Sequence, residues 1–267
     1  MYAFSYVSPK TVRQAASALA KAEDGKFLAG GQTLLPTMKQ RLAAPSTLID
    51  LAKVDGLSGI ELKGRALVIG AMTRHADVAA SAVVQQAIPA LASLAAGIGD
   101  PAVRHRGTIG GSIANNDPAA DYPSAALALG ATIVTNKRKI PAEEFFKGLF
   151  ETALEDGEII VKVSFPIPSK AAYAKFRNPA SRYALAGVFV AKRGSDVRVA
   201  VTGAGSNGVF RATVLEDALK KRFSPKSLEG VTLPATGLNG DIHASPEYRA
   251  NLIVVMAKRA VTAAVGK

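Results

Sequence analysis

Two diglycine steps, Gly30-Gly31 and Gly110-Gly111, restrict what this chain can fold into more than any other feature. Each follows apolar residues and precedes small polar ones, Thr33 in the first case and Ser112 and Asn115 in the second. Without a Cβ, glycine can take positive φ and lets a neighbour approach to backbone contact. Such steps suit bare N–H groups wrapped around a diphosphate, an anion that backbone donors at turns and helix starts hold well. One isolated diglycine reads first as a tight turn; it is the pair, with its polar neighbours, that points to a ligand.

With 267 residues, 48% of them hydrophobic and 20% charged, the chain can bury a sizeable core and suits two globular units. It contains no cysteine, which excludes disulfides, thiolate-bound zinc, iron–sulfur clusters held by this chain and cysteine nucleophiles. Any redox chemistry must come from a cofactor. The net charge of +12 favours a polyanionic partner, whether nucleic acid, an acidic protein subunit or a phosphate-bearing cofactor. Aromatics make up only 6% and Trp is absent, and the basic residues are dispersed, so neither a stacking platform nor a recognition helix for nucleic acid emerges. The runs Lys137-Arg138-Lys139 and Lys220-Lys221-Arg222 read as solvated faces. Met1–Lys10 lacks a basic stretch followed by an apolar core, so no secretory signal is expected. The apolar runs, such as 125–134, are too short to span a bilayer.

Along the chain, Ser8 and Pro9 read as the cap and first turn of a helix over 11–22. Lys26–Ala29 reads as a strand leading through Gly30-Gly31 into a helix over 33–41. A strand is expected at 47–50, a hairpin from 57–62 and 66–69, a helix over 74–80 capped by Thr73, and helix over 83–96 broken at Pro89. From Arg104 to Asp121 small residues, amides and Pro118 predict an exposed loop. Helix at 123–129, strand at 131–135, a helix start at 141–146 and strand at 159–165 follow. Pro166-Ile167-Pro168-Ser169 is the natural boundary, giving units of 1–169 and 170–267, because two prolines end the preceding strand. The second unit reads as a meander of strands at 173–177, 184–192 and 197–202, then helices at 213–221 and 246–265.

No P-loop and no G-x-G-x-x-G between strand and helix is present. His75, His105 and His243 are too scattered for a metal helix or a triad and read as surface histidines.

The segment from Phe27 to Lys39, with Ala29-Gly30-Gly31-Gln32-Thr33-Leu34-Leu35-Pro36 at its centre, resembles the first flavin loop of the FAD-binding medium subunit of molybdenum hydroxylases, the xanthine and carbon monoxide dehydrogenase family. Arg104–Asp121, with Arg104-His105-Arg106-Gly107-Thr108-Ile109-Gly110-Gly111, resembles the second. Asn178–Ala184 and His243–Leu252 are similar to that family's C-terminal domain, so the resemblance runs nearly the length of the chain, in order. It implies an α/β plus α+β architecture. A two-lobed PCMH-type, vanillyl-alcohol-oxidase-like FAD-binding domain would be followed by a small C-terminal domain of antiparallel sheet and helices.

Carried over by motif, the FAD contacts implied are Phe27, Leu28, Ala29, Gly30, Gly31, Gln32, Thr33 and Leu34 from the first loop. From the second they are Thr108, Ile109, Gly110, Gly111 and Ser112, with Asp121 at its end. Ile98 and Tyr183 would flank the isoalloxazine ring, with Lys175 near it as a cation suited to the reduced flavin. Gln32 stands where relatives often have Thr or His, and Ser112 where many have Asn. The resemblance also implies a division of labour: two 2Fe-2S clusters in a small partner subunit and molybdopterin in a large one, which suits a flavin subunit without cysteine. Relatives of the hydroxybenzoyl-CoA reductase type carry a further cluster that this chain cannot ligate. The implied function is electron relay from the partner's clusters through FAD to an external acceptor, with no metal site and no catalytic residue in this chain. A dimer of heterotrimers is implied, in the cytoplasm, with peripheral contact to the inner membrane face as a variant. A standalone FAD-dependent oxidoreductase is the alternative and needs an acid or base beside the flavin. A basic nucleic-acid-binding protein is the remote one.

Overall fold

A computed structural model describes residues 1–266. The chain opens with β1 (Ser5–Val7), α1 (Val12–Lys21), β2 (Gly25–Leu28), α2 (Leu34–Lys39) and β3 (Thr47–Asp50), and the strands form a parallel sheet in the order β1-β3-β2. Successive side chains of a strand face opposite ways. Ile49 therefore packs with Val12, Ala15 and Leu19 on one face of β3, and Leu48 with Leu28 and Met38 on the other. The first helix is capped by Thr11, whose extended backbone lets its hydroxyl accept from the Gln14 N–H at 3.2 Å. The expected cap, Ser8, lies a full turn too early.

Next come β4 (Ile60–Lys63), β5 (Ala66–Gly70), α3 (His75–Ala80), α4 (Ala82–Ala87), α5 (Pro89–Ala96), α6 (Pro101–Arg106) and α7 (Ile109–Asn115). They are followed by α8 (Tyr122–Leu129), β6 (Thr132–Thr135), β7 (Lys139–Pro141), α9 (Ala142–Phe145), β8 (Phe146–Gly148), β9 (Glu151–Thr152) and β10 (Ile160–Pro166). Five strands form an antiparallel sheet ordered β4-β5-β10-β6-β7, and β8 pairs with β9. Pro89 opens α5, a position where its missing N–H costs nothing. The exposed loop expected over 104–121 is largely helix. Asp100 caps α6 by accepting from the Val103 N–H at 2.9 Å, and Thr108 caps α7 by accepting from the Gly111 N–H at 3.1 Å. The small residues that suggest a loop are there because α7 runs close against the end of β5. Thr73 does not cap α3: its hydroxyl is exchanged with the Gly59 backbone, at 3.1 Å to both N and O.

Beyond the Pro166–Ser169 link, β11 (Lys170–Arg177), β12 (Ala184–Arg193), β13 (Asp196–Thr202) and β14 (Phe210–Arg211) form an antiparallel sheet in chain order, followed by α10 (Thr213–Lys221) and α11 (Pro246–Val265). Every residue from Ala184 to Ala191 is buried, because β12 is covered on both faces. Phe189 and Ala191 join the core around α8, whereas Val188 and Val190 pack with Leu252, Ile253 and Met256 of α11. Helix α8 is buried along its whole length, as a helix apolar on every face must be, and the Ser124 hydroxyl within it donates to the Asp121 carbonyl at 2.7 Å. The result is a mixed α/β fold with several sheets, in which the strands after residue 169 share a core with helices before it. Among the described residues no helix is long and apolar enough to cross a membrane.

Candidate functional site

The first glycine turn leaves β2 and enters α2 through Gly31 at φ +73°, a left-handed conformation that glycine takes without strain. The second lies in the first turn of α7. The two are pressed together: a Cβ on Gly30 would overlap the Arg106 carbonyl oxygen and lie 2.7 Å from the Gly107 Cα. Beside this seam opens a cleft of about 750 Å³, the size of a cofactor pocket. Of the site residues expected from the sequence, Phe27, Ala29, Gly30, Gly31, Gln32, Thr33, Leu34, Ile98, Thr108, Gly110, Gly111, Ser112, Asp121, Lys175 and Tyr183 line it. Leu28 and Ile109 do not. Strand alternation turns Leu28 onto Met38 and Leu48, and Ile109 is wholly buried in the main core.

The two turns serve different ends. The N–H groups of Gly31, Gln32 and Thr33 border the cleft and have no protein acceptor among the described residues. The N–H of Ile109 bonds to the Thr73 carbonyl at 3.1 Å, that of Gly110 to the Ala71 carbonyl at 2.8 Å, and that of Gly111 to the Thr108 hydroxyl. The bare donors therefore cluster at the first turn, while at the second the N–H groups of Ile109, Gly110 and Gly111 are all engaged. At the second, glycine is needed for close packing, with an ideal Gly110 Cβ only 2.7 Å from the Ala71 carbonyl oxygen. Three free donors at a positive-φ turn on the wall of a cofactor-sized cleft fit the diphosphate of a dinucleotide such as FAD.

Lys175 and Asp121 enter the lining as one unit. The Lys175 Nζ lies 2.9 and 3.0 Å from the two Asp121 oxygens and 3.2 Å from the Gly97 carbonyl oxygen, and the Tyr173 hydroxyl also donates to Asp121. Both charged side chains are 5% exposed. Burial pushes the Asp121 carboxyl above the ordinary carboxylate range, against the pull of Lys175 and Tyr173. The lone cation expected here is thus neutralised. Tyr183, by contrast, is 52% exposed. It follows Arg182 at φ +63° in a turn that Asn178 closes, its Oδ1 accepting from the Ala180 and Ser181 N–H groups at 2.9 and 3.1 Å.

Two lining residues escape the sequence reading. Glu158 accepts from Arg138 Nε and Nη2, both at 3.0 Å, and from the Thr135 hydroxyl at 2.6 Å. Above all the Arg138 guanidinium holds its pKa down at about 2, so the 137–139 run is more than a solvated turn. His75 is not a surface residue: it is 4% exposed, with its ring centroid 5.3 Å from that of Tyr122. Burial, aided by the Arg104 charge, lowers its pKa to about 4. Its only sequence signal is its place just after β5, where the chain turns back towards the cleft.

A pH dependence follows. Between pH 6.5 and about 4 the unfolded chain protonates His75 while the folded chain keeps it neutral, so stability falls as pH falls through that window. The loss is about 1.4 kcal/mol per pH unit and about 3 kcal/mol in all. Urea unfolding of the wild type at pH 7 and pH 5 should show this decline. In His75→Leu the decline should be visibly shallower, and equal slopes for the two proteins would refute the assignment.

Among the described residues no group of three or more His, Asp or Glu side chains could hold a metal ion. The carboxylates of the lining are each engaged by a protein donor: Asp100 by the Val103 N–H, Asp117 by the Ala119 N–H, Asp121 by Lys175 and Glu158 by Arg138. Among the described residues no carboxylate of the lining is left without a protein donor.

The model of the FAD binding domain in molybdopterin dehydrogenase matches residues 2–168. The carbon monoxide dehydrogenase medium chain of Hydrogenophaga pseudoflava is 36% identical to this chain, over 98% of it and 96% of the relative. The nicotine 6-hydroxylase medium subunit of Paenarthrobacter nicotinovorans is 37% identical over 98% and 97%. The crystal structure of quinoline 2-oxidoreductase from Pseudomonas putida 86 superposes with a TM-score of 0.88 at 31% identity, covering 99% of this chain and 98% of that one. A cleft walled by two glycine turns, on a fold shared from end to end with these proteins, makes the chain a member of the FAD-binding medium subunits of molybdenum hydroxylases.

Proposed function

We propose that this chain is the flavin subunit of a three-subunit molybdenum hydroxylase and works as an electron relay without substrate chemistry of its own. The observation that carries this reading is the cleft itself, which combines free backbone donors at Gly31–Thr33 with carboxylates that are all tied to protein donors. When bound, FAD supplies a centre that takes up electrons singly from iron–sulfur clusters and gives them up in pairs to an external acceptor. The chain's own part is to bind and orient. Gly31, Gln32 and Thr33 would hold the diphosphate, Ile98 and Tyr183 would flank the ring, and the neutralised Lys175–Asp121 pair would wall the pocket without adding net charge.

The proposed layout is a PCMH-type FAD-binding domain over 1–169 and a C-terminal sheet-and-helix domain over 170–267. The partners proposed are a large molybdopterin-bearing subunit and a small subunit with two 2Fe-2S clusters, assembled as a dimer of heterotrimers in the cytoplasm. Support comes from relatives described as medium chains or subunits and from the absence of cysteine. The test is the visible spectrum of the protein purified gently from its own source, with an inventory of accompanying subunits. Flavin bands with iron–sulfur and molybdopterin partners are expected. Flavin without partners, turning over by itself, would favour a standalone oxidoreductase, and failure to take up FAD would end both readings.

Tyr183→Ala tests the ring contact. Stacking of this kind is worth about 0.5–1.5 kcal/mol, so FAD affinity should fall by no more than about tenfold while bound-flavin fluorescence or potential changes clearly. Unaltered fluorescence and potential would remove Tyr183 from the site.

A further inference from the structure

Among the groups that line the cleft, His75 alone has a buried side-chain nitrogen without a partner. Its Nδ1 is shut off from the surface and unbonded, and its Nε2 makes no hydrogen bond to any described residue. The ring is placed at the seam of the two glycine turns. An ideal Cβ on Gly107 would come 2.5 Å from His75 Nε2, and an ideal Cβ on Gly30 would come 2.7 Å from the Gly107 Cα. Only a bare backbone at Gly107 lets the imidazole reach this place. The neighbouring cation does not compete for the ring, since the Arg104 Nη1 is spent on the Ile98 and Gly99 carbonyls at 2.8 and 3.2 Å.

The buried Nδ1 stays unpartnered whatever enters the cleft, and an apolar side chain of similar volume would serve the core better. Nε2, which faces Gly107 and is not shut off from the surface, is the nitrogen that a ligand in the cleft can complete. We propose that His75 is a cofactor-contacting residue, whose imidazole hydrogen-bonds the diphosphate chain of bound FAD where the two glycine turns meet. This rests on the reading of the cleft as an FAD site. A neutral ring can donate one hydrogen bond to a phosphate oxygen beside the free N–H groups of Gly31, Gln32 and Thr33.

The experiment uses the protein purified with its accompanying subunits, stripped of flavin and titrated with FAD. In His75→Leu the apo protein should unfold at an unchanged or higher temperature, because an orphaned polar group has been removed, while FAD binds about tenfold more weakly. His75→Gln, which keeps a donor at similar reach, should bind FAD within about threefold of wild type, with a displaced phosphorus-31 resonance of the bound diphosphate. Should the Leu variant fail to fold, the phosphorus comparison between wild type and His75→Gln decides alone. A wild type that binds FAD, with His75→Leu binding equally tightly or the phosphorus resonances identical in His75→Gln, overturns the assignment and leaves the FAD reading intact. A wild type that takes up no FAD overturns both.

Discussion

Gly110→Val is expected to cost this protein a large share of its stability and not only its ligand. The added Cβ would lie 2.7 Å from the Ala71 carbonyl oxygen and 2.8 Å from the Ala71 Cα, both backbone atoms that cannot rotate away. The same carbonyl accepts the Gly110 N–H at 2.8 Å, so moving α7 outward to relieve the clash breaks that bond. Overpacking of this sort costs about 3 kcal/mol or more, a large share of the roughly 5–15 kcal/mol that holds a domain together. The unfolding temperature of the apo protein should drop by about 6–12 °C. Gly56→Ala is the contrast, because Gly56 has positive φ, at +76°, where Gly110 is helical, and an added Cβ there meets nothing within 4 Å. Its cost should be limited to the backbone strain of about 1–2 kcal/mol. Equal unfolding temperatures for the two variants would show that the close approach of α7 to Ala71 is not what Gly110 serves.

Lys175→Met should be the other severe change. It leaves the Asp121 carboxylate buried with only the Tyr173 hydroxyl as a partner, and removal of one member of a buried ion pair costs about 3–5 kcal/mol. Neutralising the survivor as well, in Lys175→Met with Asp121→Asn, should restore at least half of the loss, since Tyr173 can still donate to the amide oxygen. The recovery would be read as a rise in urea midpoint of the double variant over the single one. A double variant no more stable than Lys175→Met would mean that the two groups do not form the closed pair described above. The pair also joins β11 to the start of α8, so its loss should loosen the wall of the cleft from both sides.

Much of the fold can be read locally. The helix at 213–221 stands where its apolar spacing puts it, that at 246–265 where Ser245 caps it, and the break at Pro89 falls where a missing N–H requires it. The paired glycines mark both walls of the cleft, because close backbone approach and positive φ are demands that only one residue type meets cheaply. The stretch from Arg104 to Asn115 misleads for the same reason: small residues serve a loop and a tightly packed helix alike, and composition does not distinguish them.

The chain order therefore fixes the short-range features, meaning strand and helix positions, the glycine turns, the absence of cysteine chemistry and, through its motifs, the family. Packing fixes the rest. Asp121 and Lys175 are 54 residues apart and meet only once β11 lies beside α8. Ile109 and Gly110 lose their free N–H groups to Thr73 and Ala71. His75 becomes a buried neutral group only when α3, α8 and the second glycine turn close around it. Backbone propensity acts over a few residues, whereas desolvation and ion pairing depend on which distant segments come to share one interior.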